Sequence, residues 1–232
     1  MTNFEFEGHS SDAEMSRLGA SDGGSRRFLG IAGKRLFDIG FALVAILTFS
    51  PLMIVIALVM KATTRGPLFF CHERVGEGHR SFRCMKFRTM VVDAQEQLEL
   101  LLSTDPEARA EFEATRKLRK DPRIIPYVGE FLRKTSLDEL PQFFNVLMGH
   151  MSIVGPRPVT KEEFDAHYGA DHPYVVVRPG ITGLWQVSGR NDVTYAERVR
   201  LDSEYVDNQA LGLDFWIILQ TVFIVCLDRN GH

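Results

Sequence analysis

Ile39 to Met60 is a run of twenty-two residues without one charged side chain, and no other stretch of this chain restricts its fold so strongly. As an α-helix rising about 1.5 Å per residue it is long enough to cross a bilayer core of roughly 30 Å. Ser50-Pro51 interrupts it near the middle. Proline has no N–H and its ring crowds the preceding turn, so a helix running through it loses one hydrogen bond and bends. The neighbouring serine hydroxyl is a donor suited to the carbonyl thereby freed. Basic residues flank both ends of the run, Lys34 and Arg35 before it, Lys61 and Arg65 after it. The positive-inside tendency assigns both flanks to the cytoplasmic side. A straight crossing puts them on opposite sides. A helix that enters, breaks at Ser50-Pro51 and leaves by the same face satisfies both facts, so residues 31–66 are expected to form a re-entrant membrane helix-break-helix, with a plain transmembrane helix as the simpler alternative.

The rest of the chain reads as one soluble domain with a polar leader. Residues 1–30 are rich in Ser, Gly, Asp and Glu and are expected to be a disordered tail. They lack the apolar core of a signal peptide. Residues 67–232 provide enough chain for one cytosolic domain. The net charge of −3 predicts no nucleic-acid partner, so any anion binding must come from local clusters. Cys71, Cys84 and Cys226 are odd in number and make no CxxC pair, which argues against a disulfide framework or a zinc site and for reduced thiols.

Within that domain, Pro67 to Phe70 is a short apolar stretch and Arg74 to Arg80 a basic, Gly-containing turn. Ser81 to Met90 mixes apolar and basic residues as a strand with a basic face does. From Val92 to about Lys120 the composition is helical, broken near Asp105-Pro106, which predicts two helices with solvated charges. Met151 to Val154 is a short strand. Leu211 to Leu227 is apolar but interrupted by Asp214, too short to span easily, and is expected to be a buried or interfacial helix.

The chemistry concentrates in Ser136-Leu137-Asp138-Glu139-Leu140-Pro141-Gln142. Two adjacent carboxylates stand at an expected helix start, preceded by Arg133 and Lys134. Ser136-x-x-Glu139 has the spacing of a capping box, in which Glu139 only satisfies backbone amides. A helix starting at Asp138 instead puts Pro141 in the first turn, where no amide bond is lost, with Asp138 as the cap. It would also align Leu140, Phe143, Phe144 and Leu147 as one apolar stripe, either a core face or a face dipping into lipid. Against these structural readings stands the company of the two acids. Adjacent carboxylates repel, so one should hold its proton unusually well unless a cation intervenes. A bound Mg²⁺ at Asp138 and Glu139 would keep Asp138 ionised and neutralise a diphosphate. Arginine forks suit phosphate, and arginines recur in Pro/Gly turns: Gly155-Pro156-Arg157-Pro158, Arg178-Pro179-Gly180, which leads toward a short strand ending near Gln186, and Gly189-Arg190-Asn191.

Lys86-Phe87-Arg88-Thr89-Met90, the Ser-Leu-Asp-Glu-Leu-Pro-Gln segment and these three turns, in this order from about Lys34 to Leu227, resemble the bacterial sugar transferase family, the monotopic phosphoglycosyl transferases of polysaccharide and glycoconjugate assembly. The short form looks closest to exopolysaccharide galactosyl-phosphate transferases. The resemblance implies an α/β fold: a small, mainly helical cytosolic domain with short strands, one re-entrant membrane helix broken at Ser50-Pro51, and interfacial amphipathic helices on the cytosolic face of the inner membrane. It implies transfer of hexose 1-phosphate, galactose first and glucose second, from a UDP-hexose to undecaprenyl phosphate with release of UMP. Carried over by motif, Asp138 is the nucleophile, and Glu139 binds Mg²⁺ or deprotonates the incoming lipid phosphate. Lys86, Arg88, Arg133, Arg157, Arg178 and Arg190 are candidates to hold phosphates. A symmetric homodimer is the default expectation for oligomeric state.

Overall fold

The computed structural model describes the backbone of residues 11–115, 118, 120–189 and 193–227, and the side chains of 32–113, 118, 120–189 and 193–225. Helix α1 spans Ser11–Thr63 and includes Pro51. Helical pairing continues through the proline, and the carbonyl it frees, that of Leu47, accepts a hydrogen bond from Ser50 Oγ at 3.0 Å. The dipeptide therefore supplies its own replacement donor. The expected interruption of the helix at Ser50-Pro51 is absent at the level of secondary structure.

Lys34 and Arg35 are not free flanking charges. Lys34 Nζ donates to Asp214 at 2.7 Å and to the Val154 carbonyl at 3.1 Å. Arg35 donates to the carbonyls of Val146 and Leu147. One turn on, the buried carboxylate of Asp38 accepts from Ser152 Oγ and from the Ile153 amide, each at 3.0 Å. At the other end, Arg88 donates to Thr64 Oγ1 and to the Arg65 carbonyl. Both ends of the apolar stretch are thus tied to the same domain. Between them Ala42, Ala45, Met53, Ile56 and Met60 are buried, while Val44, Leu47, Ile54 and Leu58 face outward. The helix lies along the domain on one flank and leaves the other apolar flank uncovered.

After α1, strands β1 (Phe69–Val75) and β2 (Ser81–Phe87) form an antiparallel hairpin with Phe70 opposite Lys86 and His72 opposite Cys84. Helices α2 (Ala94–Thr104) and α3 (Pro106–Thr115) follow, separated at Asp105 as its proline neighbour requires. Asp105 Oδ1 accepts from the amides of Glu107 and Ala108. Helix α4 (Val128–Thr135), a short 3-10 turn and α5 (Gln142–Leu147) lead to β3 (Ser152–Val154). Helix α6 (Lys161–His167) begins with a true capping box between Thr160 and Glu163. Strand β4 (Gly180–Thr182) pairs parallel with β3. The Pro/Gly turn from Arg178 leads into strand β4 as expected, and the residues after it, Leu184–Val187, form a single helical turn, α7. Helices α8 (Tyr195–Asp207) and α9 (Leu211–Leu227) complete the chain. Among the described residues the domain is mainly helical, with two short two-stranded sheets.

The β3–β4 pairing explains two of the Pro/Gly motifs. A Cβ on Gly180 would stand 2.2 Å from the Gly155 nitrogen, and one on Gly155 would stand 2.4 Å from the Arg178 carbonyl. The two turns pack backbone against backbone, which only glycine allows.

Asp214, the charge that interrupts the last apolar run, is fully buried and bound by Lys34 and by the Tyr205 hydroxyl. It anchors α9 beside the start of the apolar part of α1, where Phe37 and Phe215 meet at 5.1 Å. The outer face of α9 leaves Trp216, Leu219, Val222 and Phe223 exposed. Water-soluble proteins seldom leave so many large apolar side chains uncovered. The α9 helix therefore combines a buried anchor with an uncovered apolar face.

Candidate active site

Asp138 and Glu139 do not open a helix. Helix α4 stops at Ser136, whose left-handed conformation (φ 56°, ψ 17°) breaks the hydrogen-bond ladder, and the two acids sit on the 3-10 turn Leu137–Glu139. Pro141, lacking an N–H, precedes the first residue of α5. The capping box read from Ser136 and Glu139 does not form: the Ser136 side chain makes no capping bond, and Glu139 instead pairs with Lys86 Nζ. Leu137 and Leu140, on either side of the dyad, pack with Phe144 against Met53, Ile56 and Met60 of α1. The turn is therefore held directly on the apolar helix, so the acids stand beside the membrane element.

The opposite wall is the β-hairpin, and one buried amide sets its distance. Asn145 of α5 is fully buried; its Oδ1 accepts from the Met85 amide at 2.9 Å and its Nδ2 donates to the Arg83 carbonyl at 2.8 Å. That bridge fixes β2, and with it Lys86, relative to the turn that carries the acids. Between the walls lies a cleft of about 640 Å³ lined by Phe70, His72, Arg74, Lys86, Arg88, Thr89, Arg123, Arg133, Asp138 and Glu139 among others.

Within this cleft Asp138 is pushed up to about 6, first by burial and then by the charge of Glu139; Lys86 and Arg133 pull the other way. The expected repulsion between neighbouring acids is present, although burial outweighs it. At neutral pH Asp138 is mostly ionised while poorly solvated, the state of a carboxylate prepared to attack or to bind a cation. The cleft also contains a thiol, Cys84, which burial pushes up to about 11. It stays protonated at neutral pH and is no nucleophile.

Of the expected phosphate-holding residues, Lys86, Arg88 and Arg133 converge on the cleft. Arg88 is nearly buried, and its guanidinium is largely occupied in clamping the end of α1. Arg157 and Arg178 do not line it. Arg157 lies over the Trp185 ring at 5.3 Å, with Arg198 at 4.8 Å from the same ring, and Arg178 pairs with Glu77. Arg190 lies outside the described residues. Sequence reasoning missed Phe70, His72, Arg74 and Arg123. The first three alternate along β1, a period-2 signal visible in the sequence but hidden because the stretch was divided between an apolar run and a turn. Arg123 is held by a two-pronged pair with Asp121, at 2.8 and 2.7 Å, and nothing in its local sequence marks it.

Two adjacent carboxylates under flanking cations, on a turn packed against an apolar helix, form a cleft whose basic lining suits anionic groups. The chain belongs to the bacterial sugar transferase family, whose profile matches residues 29–228. It is 47% identical over 209 residues to the exopolysaccharide production protein ExoY of Rhizobium meliloti, covering 90% of this chain and 92% of that one. It is 50% identical over 208 residues to the undecaprenyl-phosphate galactose phosphotransferase of Salmonella typhimurium and 48% identical over 207 to the UDP-galactose-lipid carrier transferase of Erwinia amylovora. In both of these the match covers 89% of this chain and 42% of the relative. The protein is thus a sugar transferase by family.

Proposed function

We propose that this enzyme transfers hexose 1-phosphate, galactose first and glucose second, from UDP-hexose to undecaprenyl phosphate as the first step of exopolysaccharide assembly. The observation that carries the reading is the placement of Asp138, half-desolvated and flanked by Lys86 and Arg133, on a turn packed against α1. Two of the three relatives named above have galactose in their names, which supports that sugar first.

An Asp138 carboxylate oxygen attacks the sugar-side phosphorus of the donor. The bond from that phosphorus to the bridging oxygen breaks, and UMP leaves with the electron pair. Hexose 1-phosphate is then held on Asp138 as an acyl phosphate. An oxygen of the lipid phosphate attacks the same phosphorus, the bond to Asp138 breaks, and the carboxylate is restored. Lys86 and Arg133 balance the charge of the phosphates. Asp138 and Glu139 fit Mg²⁺, which commonly takes one or two protein carboxylates and fills its other positions with water and phosphate oxygens. When bound, the ion would neutralise the diphosphate and lower the charge repulsion on attack. Glu139 serves as its second ligand or as the base toward the lipid phosphate.

A water-soluble donor and a bilayer-bound acceptor suit a cleft against the membrane element on the cytosolic face of the inner membrane. We read residues 31–66 as entering and leaving by that face, supported by the attachment of both Lys34 and the Thr64–Arg65 end to one domain.

The test is UMP release from a panel of UDP-sugars with and without undecaprenyl phosphate, together with intact mass after donor alone. The expected result is lipid-dependent turnover, a hexose-phosphate adduct on Asp138, and loss of both in Asp138→Asn. Turnover that ignores the lipid would mean a hydrolase, and an adduct-free enzyme would discard the covalent route.

A further inference from the structure

Strand β1 of the hairpin wall has no role in the chemistry just described. Phe70, His72 and Arg74 alternate along β1 and line the cleft together with Cys84 and Lys86 of β2. Phe70 is 52% exposed on β1, so its ring face is open to the cleft rather than packed in the core. Its ring neighbours the His72 imidazole at 5.8 Å. Among the described residues His72 has this ring contact but no hydrogen-bond partner for either ring nitrogen. Burial and the charge of Arg74 hold the imidazole below its usual value, so it is neutral at pH 7 and offers one donor and one acceptor.

The order of groups along the cleft is informative. Phe70 stands directly opposite Lys86 in the hairpin register, and Lys86 Nζ reaches Glu139. A cation therefore lies between the exposed ring and the acidic turn. The hexose of the donor is bonded to the phosphorus under attack, so it must sit next to Asp138. The base lies farther off, beyond a second phosphate and a ribose. A ring beyond the cation, one residue pair away from the acids, matches the distant group.

We propose that Phe70 and His72 form the platform for the pyrimidine base of the nucleotide donor, Phe70 by stacking and His72 by hydrogen bonding to the polar edge of the base. Stacking suits this pair because every base has a π-face, and its loss on alanine substitution weakens binding by about 5- to 150-fold. This inference rests on the donor being a UDP-sugar, as argued above.

The experiment measures steady-state kinetics of Phe70→Ala, Phe70→Tyr and His72→Ala in membranes or nanodiscs, with UMP and hexose 1-phosphate as inhibitors. Phe70→Ala should raise the KM for UDP-hexose and the inhibition constant for UMP in parallel by about 5-fold or more. The KM for undecaprenyl phosphate and inhibition by hexose 1-phosphate should stay unchanged. Phe70→Tyr should restore UMP binding, which a merely misfolded alanine variant would not explain. His72→Ala should weaken UMP to a smaller degree. Unchanged UMP inhibition in Phe70→Ala overturns the proposal, as does a defect confined to the lipid (a polyprenyl contact) or to hexose 1-phosphate (a sugar platform). Failure of the broader reading is separate, because then wild-type protein itself does not turn over UDP-hexose.

Discussion

Asp138→Asn should abolish turnover and also make the protein more stable, by an amount that depends on pH. In the folded chain the carboxyl is raised from the ordinary 3.8 to about 6, mainly by burial. The folded state therefore holds the Asp138 proton more tightly than the unfolded state does, and ionising it costs stability. The cost is small below about pH 4, where both states are protonated. It grows between pH 4 and 6 and is complete above 6. At about 1.36 kcal/mol per pH unit the full cost is about 3 kcal/mol. Partial solvent access reduces this to about 1–2 kcal/mol. Asparagine has nearly the same shape and no charge to desolvate. In detergent micelles with chelator present, Asp138→Asn should melt about 3–6 °C above wild type at pH 7.5. The difference should shrink toward zero as the pH approaches 4. Equal melting temperatures across that range would refute the claim that Asp138 is held charged at a cost. A variant less stable at pH 7.5 would show that the carboxylate is a structural cap instead.

Because the charge of Glu139 is the second cause of the raised Asp138, Glu139→Gln should lower it, and the acid limb of UMP release should move below pH 6. An unmoved limb would mean that the two acids do not communicate. Lys34→Met leaves Asp214, fully buried, with only the Tyr205 hydroxyl, and should cost about 3–5 kcal/mol, measured by chemical denaturation in detergent. A loss below about 1 kcal/mol would mean that Asp214 is re-solvated in the membrane-bound protein. Single cysteines placed before Lys34 and after Arg65 should react with reagents only from the cytoplasmic side, and periplasmic labelling of either would rule out entry and exit by one face.

Much of the fold was legible because local rules had no competitor. The uncharged run of Ile39–Met60, the helix break at Asp105-Pro106 and the strand character of Ser81–Met90 are all visible in composition and period, and each appears in the structure, the strand ending at Phe87. The Ser-Pro pair was read correctly in one respect and incorrectly in another. The serine does replace the lost donor, and because it does, helical pairing continues where an interruption was expected.

Elsewhere local rules offered two answers and tertiary contacts chose between them. Ser136-x-x-Glu139 has capping-box spacing, but Lys86, distant in sequence, takes the Glu139 carboxylate, and a left-handed Ser136 turns the dyad into a 3-10 corner. Thr160 and Glu163 have the same spacing and do form the box, although Arg74, distant in sequence, also pairs with the Glu163 carboxylate.

The residue types needed for phosphate chemistry, and the membrane-seeking helix beside them, were fixed by amino-acid order alone, since apolar length and paired acids are properties of neighbours in the chain. Which arginines serve the cleft was decided by folding. Lys86 arrives there because Asn145 joins α5 to β2, and Arg133 because the last turn of α4 runs directly into the dyad turn, whereas Arg157 and Arg178 are turned toward Trp185 and Glu77. A guanidinium in a Pro/Gly turn looks the same in sequence wherever it points, and its direction is set by partners many residues away.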